Sequence, residues 1–172
     1  LSNQGNALCK TKDYRRALTV LEKARDGLEM FPRSNLHIVY NNLGICYFLL
    51  GKYQTAYQYL LLAQRFGRNS MPRIFSTINL ACVEAVMGNT DCAIQRLNDI
   101  EQEVEFHKLD RVRQKFYVNY LLVESLHGNK TLEGHLAKAS AYPDRYFPEH
   151  TTHAVLCYQE FMNSGKKLIQ HD

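Results

Sequence analysis

Four asparagines, Asn3, Asn42, Asn79 and Asn119, recur at intervals of 39, 37 and 40 residues. The chain has twelve asparagines among 172 residues, so composition alone does not account for one residue type returning four times at one spacing. The side-chain amide carries a donor beside an acceptor, which complements the C=O and N–H of a peptide unit. Such a column would read a backbone whatever side chains the ligand bears. Glu84 and Glu124 each stand four residues before a glycine, in an otherwise apolar column. A carboxylate there must be paired or reach water, and an internal Arg or Tyr partner is favoured over a positive group on a ligand. His150, His153 and Cys157 are spaced to share one helix face and could offer three metal ligands. A cluster on one helix with no second element is a weak pattern, and neither a metal nor a cofactor is expected. No phosphate-cradling glycine loop, HExxH, GxSxG or paired-carboxylate motif occurs, so an enzyme is not expected.

The elements that would hold these residues are helices. Leu43, Cys46, Tyr47 and Leu50, then Tyr53, Ala56, Tyr57, Leu60 and Ala63, follow the i, i+3, i+4, i+7 spacing of an apolar helix face. Helices are expected at about 1–11, 13–30, 34–50, 53–67, 71–87, 91–106, 109–127, 130–140 and 148–165. Gly51, Gly88 and Gly128 recur at 37 and 40 residues, each closing an apolar run. Helix C-termini favour glycine there because it enters the left-handed conformation without strain. Ala17, Ala56 and Ala93 recur at 39 and 37 residues in the second helix of each pair, where a small side chain lets two helices approach closely.

These residues resemble the tetratricopeptide repeat family. The second unit carries the pattern almost whole in Tyr40, Leu43-Gly44, Tyr47, Gly51, Tyr53, Ala56, Leu60 and Ala63. The first keeps Gly5, Leu8, Tyr14, Ala17, Leu21 and Ala24; the third keeps Leu80-Ala81, Gly88, Ala93 and Leu97; the fourth is degenerate in its second helix. The resemblance implies an all-α, right-handed α-α superhelix of about four helix pairs over 1–140, with units at about 1–33, 34–70, 71–108 and 109–140. Residues 141–172 would supply a turn, a capping helix and a tail. It also implies a concave groove lined by first helices. There the asparagine column resembles the ladder with which kinesin light chains and the protein O-linked sugar transferase hold extended peptides. Ile45, Phe75, Ile78, Cys82 and Leu122 would line the same groove and set side-chain preference. First helices about 8–10 Å apart match about three residues of an extended chain at ~3.3 Å each. The cations with which chaperone adaptors clamp an acidic C-terminus are missing, since Ser2, Asn6, Asn42, Phe75 and Asn79 occupy those positions.

The expected partner is therefore a protein or peptide segment, extended and largely apolar. Neither nucleic acid nor a membrane is expected. Residues 30–83 contain no Asp or Glu and five Arg or Lys, while 84–110 hold seven acids against Arg96 and Lys108. These opposed blocks make self-association, or service as a regulatory arm of a larger signalling protein, the alternative reading. A start at Leu1 fits a piece of a longer chain. Five cysteines with no CxxC spacing argue against a disulfide framework and fit a cytoplasmic setting.

Overall fold

A computed structural model describes residues 4, 5, 8, 11, 13–29, 35–67, 69–107, 109–128 and 133–141. Within them the chain is all-α, built of helices that follow one another in series. These are α1 (Tyr14–Glu29), α2 (Leu36–Leu49), α3 (Tyr53–Phe66), α4 (Ser70–Val86), α5 (Thr90–Phe106), α6 (Asp110–His127) and α7 (Glu133–Ala141). Each matches an expected helix to within three residues at either end. The helices expected at 1–11 and 148–165 lie largely or wholly outside the described residues. Two compact units divide the chain, Leu1–Val83 and Glu84–Asp172.

The helix ends form as the recurring glycines require. Gly51, Gly88 and Gly128 have φ of 73°, 87° and 82°. At the first of these turns the Lys52 N–H reaches back to the Tyr47 carbonyl at 2.9 Å, satisfying an acceptor that the helix can no longer serve.

In the first unit α1, α2 and α3 pack in sequence around Ala17, Leu21, Ala24, Leu36, Val39, Tyr40, Leu43, Cys46 and Ala63. A second cluster joins Ala56 and Leu60 of α3 to Leu80 and Val83 of α4. Aromatic rings close the gaps. Tyr47 stacks on Tyr59 with centroids 5.4 Å apart and planes 2° from parallel. The Tyr47 hydroxyl donates to Glu22 at 3.2 Å, and Arg25 donates to the Tyr59 oxygen at 3.0 Å. Burial, reinforced by the Glu22 charge, raises the Tyr47 pKa and keeps that donor protonated.

The second unit buries Ala93, Leu97, Ile100 and Val104 of α5 with Val112, Phe116, Tyr117, Tyr120 and Leu121 of α6. Helix α7 docks on α6, adding Ala139.

One expectation fails. Cys46, fully buried in α2, is disulfide-bonded, whereas Cys82 and Cys92 take part in no disulfide. Spacing along a chain does not report which sulfurs helix packing brings together. The inference of a uniformly reducing environment loses that support.

The two glycines inside α1 and α2 should respond oppositely to substitution. A Cβ on Gly44 would meet Leu60 Cγ at 2.5 Å and the Ala56 carbonyl at 3.2 Å, while one on Gly27 meets nothing within 4 Å. Gly44→Ala should therefore destabilise by about 1–3 kcal/mol through overpacking. Gly27→Ala should stabilise by roughly 0.5–1 kcal/mol through helix propensity. Urea denaturation of the two variants checks both signs.

Candidate functional site

Helix α2 contains no Asp, Glu, Lys or Arg and is apolar on both faces. Its inner face packs through Leu36, Val39, Tyr40, Leu43 and Cys46. The opposite stripe, spaced i, i+4, i+7, i+11, consists of Ile38, Asn42, Ile45 and Leu49. Ile38 and Leu49 are 41% and 45% exposed, and Asn42 and Ile45 are half-buried. An ordinary surface helix puts charge on such a face. Apolar side chains left at the surface in a row mark an interaction site more often than scattered ones do.

Helix α4 repeats the stripe 37 residues later. Phe75, Asn79 and Cys82 stand at the positions of Ile38, Asn42 and Ile45, and all three are half-buried. The two helices are linked by a hydrogen bond at this level, in which Asn79 Nδ2 donates to Asn41 Oδ1 at 2.8 Å. The Asn42 side chain makes no hydrogen bond among the described residues.

Other expected site residues are placed differently. Ile78 is fully buried and belongs to the core, because it falls one position from the exposed stripe and rotates toward the helix interface. It offers no surface to a ligand. Asn119 of α6 is half-buried and donates Nδ2 to the Lys115 carbonyl of its own helix at 2.7 Å. Leu122 is half-buried on the same helix. Asn3 and the His150, His153, Cys157 set lie outside the described residues. No group of three or more His, Cys, Asp or Glu able to hold a metal occurs among the described residues.

Both glutamates have internal partners. Glu84 is 5% exposed and receives a two-point contact from Arg96, with Nε and an Nη at 2.8 and 2.6 Å. Parallel donors of this kind satisfy both carboxylate oxygens. Glu124 is 2% exposed, with His135 Nδ1 of α7 at 3.2 Å from its Oε2.

A polar network that sequence spacing did not reveal surrounds His135. Its Nε2 lies 3.6 Å from Glu101, and its ring stands 4.2 Å from that of Tyr120. Lys138 donates to Glu101 and to the Tyr117 oxygen, both at 3.0 Å. Tyr117 in turn donates to Glu105. Burial, strengthened by these carboxylates, pushes the Tyr117 hydroxyl far above its ordinary range. Several acids of the 84–110 block are thus engaged within their own unit, which lessens the charge they offer to a second molecule.

Residues 1–66 match the tetratricopeptide repeat family model. Such repeats form a non-enzymatic helical scaffold that generally serves protein–protein interaction. No curated protein and no solved structure matches the chain. No helix among the described residues is long and apolar enough to cross a membrane.

The two carboxylates facing His135 should give opposite pH dependences. Desolvation raises Glu124 above its ordinary 4.5, despite the contrary hydrogen bond and charge of His135. Burial also acts upward on Glu101, but the hydrogen bond and charge of Lys138, aided by His135, outweigh it and bring its pKa below 4.5. The stability contributed by protonated Glu124 is fully present below 4.5 and is lost as pH rises through the raised native value. That contributed by ionised Glu101 is present above 4.5 and is lost as pH falls through the lowered one. Glu124→Gln should gain on the wild type in urea denaturation as pH rises from about 4.5 toward neutrality, whereas Glu101→Gln should lose most at neutral pH. Parallel curves for the three proteins would contradict this assignment.

Proposed function

We propose that the chain is a binding module for an extended, largely apolar and uncharged segment of a partner protein, received along the outward stripes of α2 and α4. The observation that carries this reading is the charge-free stripe of α2, apolar where solvent meets it and interrupted at mid-length by an amide. The paired stripe on α4 supports it, as does the match of residues 1–66 to a family used for protein contacts.

Asn42 and Asn79 engage the ligand backbone, while Ile45, Phe75 and Cys82 meet its side chains. Asn119 and Leu122 play the same part on α6 within their own unit, and we assign it to Asn3 as well. A charged side chain on the ligand would lose hydration against Ile38, Ile45 and Leu49 without finding a counter-charge, so such segments are rejected. Affinity comes from several neutral hydrogen bonds, each worth about 0.5–1.5 kcal/mol net, added to apolar burial at roughly 25 cal/mol per Å².

Selection of a random-peptide display library on the intact chain, followed by fluorescence polarisation with the enriched peptides, tests this. Enriched sequences should be poor in Asp, Glu, Lys and Arg. Asn42→Ala and Asn79→Ala should each weaken binding about two- to tenfold, with unchanged thermal melting. Enriched peptides that bind both variants as tightly as the wild type would overturn the assignment.

A further inference from the structure

We infer that Asn41 is a positioning residue, which fixes the amide of Asn79 so that its oxygen meets the ligand in one orientation and favours a backbone N–H at this step of the binding face. The inference rests on the α2 and α4 stripes being the ligand site.

Asn41 is unusual for its place in the repeat. The residues at the same position in the following units, 37 and then 40 further on, are Ile78 and Val118, 0% and 2% exposed. The column is an apolar packing column. An amide there loses hydration unless it is bonded, and the bond it makes is to the side chain of Asn79, not to its own helix.

The direction of that bond has a chemical consequence. Asn79 Nδ2 is the donor, so one of its N–H groups is tied to Asn41 and the amide plane is held. Its Oδ1 then points in a set direction as an acceptor. A freely rotating amide would offer oxygen or nitrogen according to what approached it. The held amide keeps its second N–H, but its oxygen is fixed in direction, and what that oxygen favours on an extended chain is a backbone N–H. Proline and N-alkylated residues lack that group and are disfavoured at this one step. Asn42, which has no such tether among the described residues, imposes no comparable choice.

A backbone N-methylation scan of a peptide enriched on the intact chain reads this out. The wild type should show one position at which N-methylation weakens binding about tenfold beyond its neighbours. In Asn41→Ala, the unmethylated peptide should bind about two- to fivefold more weakly, and the penalty at that position should shrink by the same factor. Combining Asn41→Ala with Asn79→Ala should cost no more than Asn79→Ala alone, as for two residues acting through one contact. Alanine suits a helix interior, and Asn41→Ser provides a second variant that also shortens the amide away. An N-methylation profile identical in wild type and Asn41→Ala, or additive losses in the double variant, would overturn the role of Asn41 while leaving the binding face intact. Peptides indifferent to Asn42→Ala and Asn79→Ala, or no enrichment at all, would overturn the binding face and this inference with it.

Discussion

The absent side chain of Gly44 sets how closely α2 and α3 approach, and the candidate site follows from that approach. Leu60 and the backbone of Ala56 occupy the space where a Cβ would sit. Ala17, Ala56 and Ala63 are each at most 1% exposed in the same unit, so small residues meet at the helix contacts while Leu21, Leu43 and Leu60 fill what lies between. Contacts this tight permit few rotations of α2 about its axis. Once Leu36, Val39, Leu43 and Cys46 are turned inward, the helical period turns Ile38, Asn42, Ile45 and Leu49 outward. The exposed apolar stripe is thus not a defect of folding. The inward face already supplies the core of the unit, and the outer face could carry charge at no cost to packing.

The two units distribute polar chemistry differently. In the first, most charged side chains among the described residues lie on α1, where Glu22 and Arg25 hold the hydroxyls of Tyr47 and Tyr59. In the second, Glu84, Glu101, Glu105 and Glu124 are engaged by Arg96, Lys138, Tyr117 and His135. Of these carboxylates Glu84 and Glu124 are buried; a buried charge pair adds little net stability, since desolvation offsets most of the attraction, and the partly exposed pairs add little because water screens them. Removing one partner of a buried pair is costly nonetheless, so the docking of α7 on α6 is sensitive to substitution at the Glu124–His135 contact. The acid-rich block seen in the sequence therefore has structural work within its own unit, and the uncharged stripe of the first unit stands out more clearly beside it.

Helix positions were legible in the sequence because apolar period, recurring glycines and recurring alanines all pointed the same way, and Gly51, Gly88 and Gly128 took the left-handed conformation their spacing implied. The rotation of each helix was less legible. Asn42, Ile45, Phe75, Asn79 and Cys82 share the stripe, but Ile78 faces the core. One residue is about 100° of helix, and apolar residues on both faces left the period ambiguous. The recurrence of asparagine shows a column of amides but not what each amide bonds to. The hydrogen bond from Asn79 to Asn41 was invisible because the partner stands one place out of the column. The disulfide at Cys46 and the network around His135 depend on contacts between distant segments, and no local pattern in the chain encodes them.

We propose the charge-free face of α2 as the place where a partner binds. Methyl NMR of isoleucine-labelled intact chain, titrated with a peptide enriched by display selection, tests it most directly. The δ1 methyl signals of Ile38 and Ile45 should shift in proportion to occupancy, while those of buried Ile74 and Ile100 stay in place. Shifts confined to Ile94 or Ile100, or no change at Ile38 and Ile45 at saturating peptide, would contradict the account.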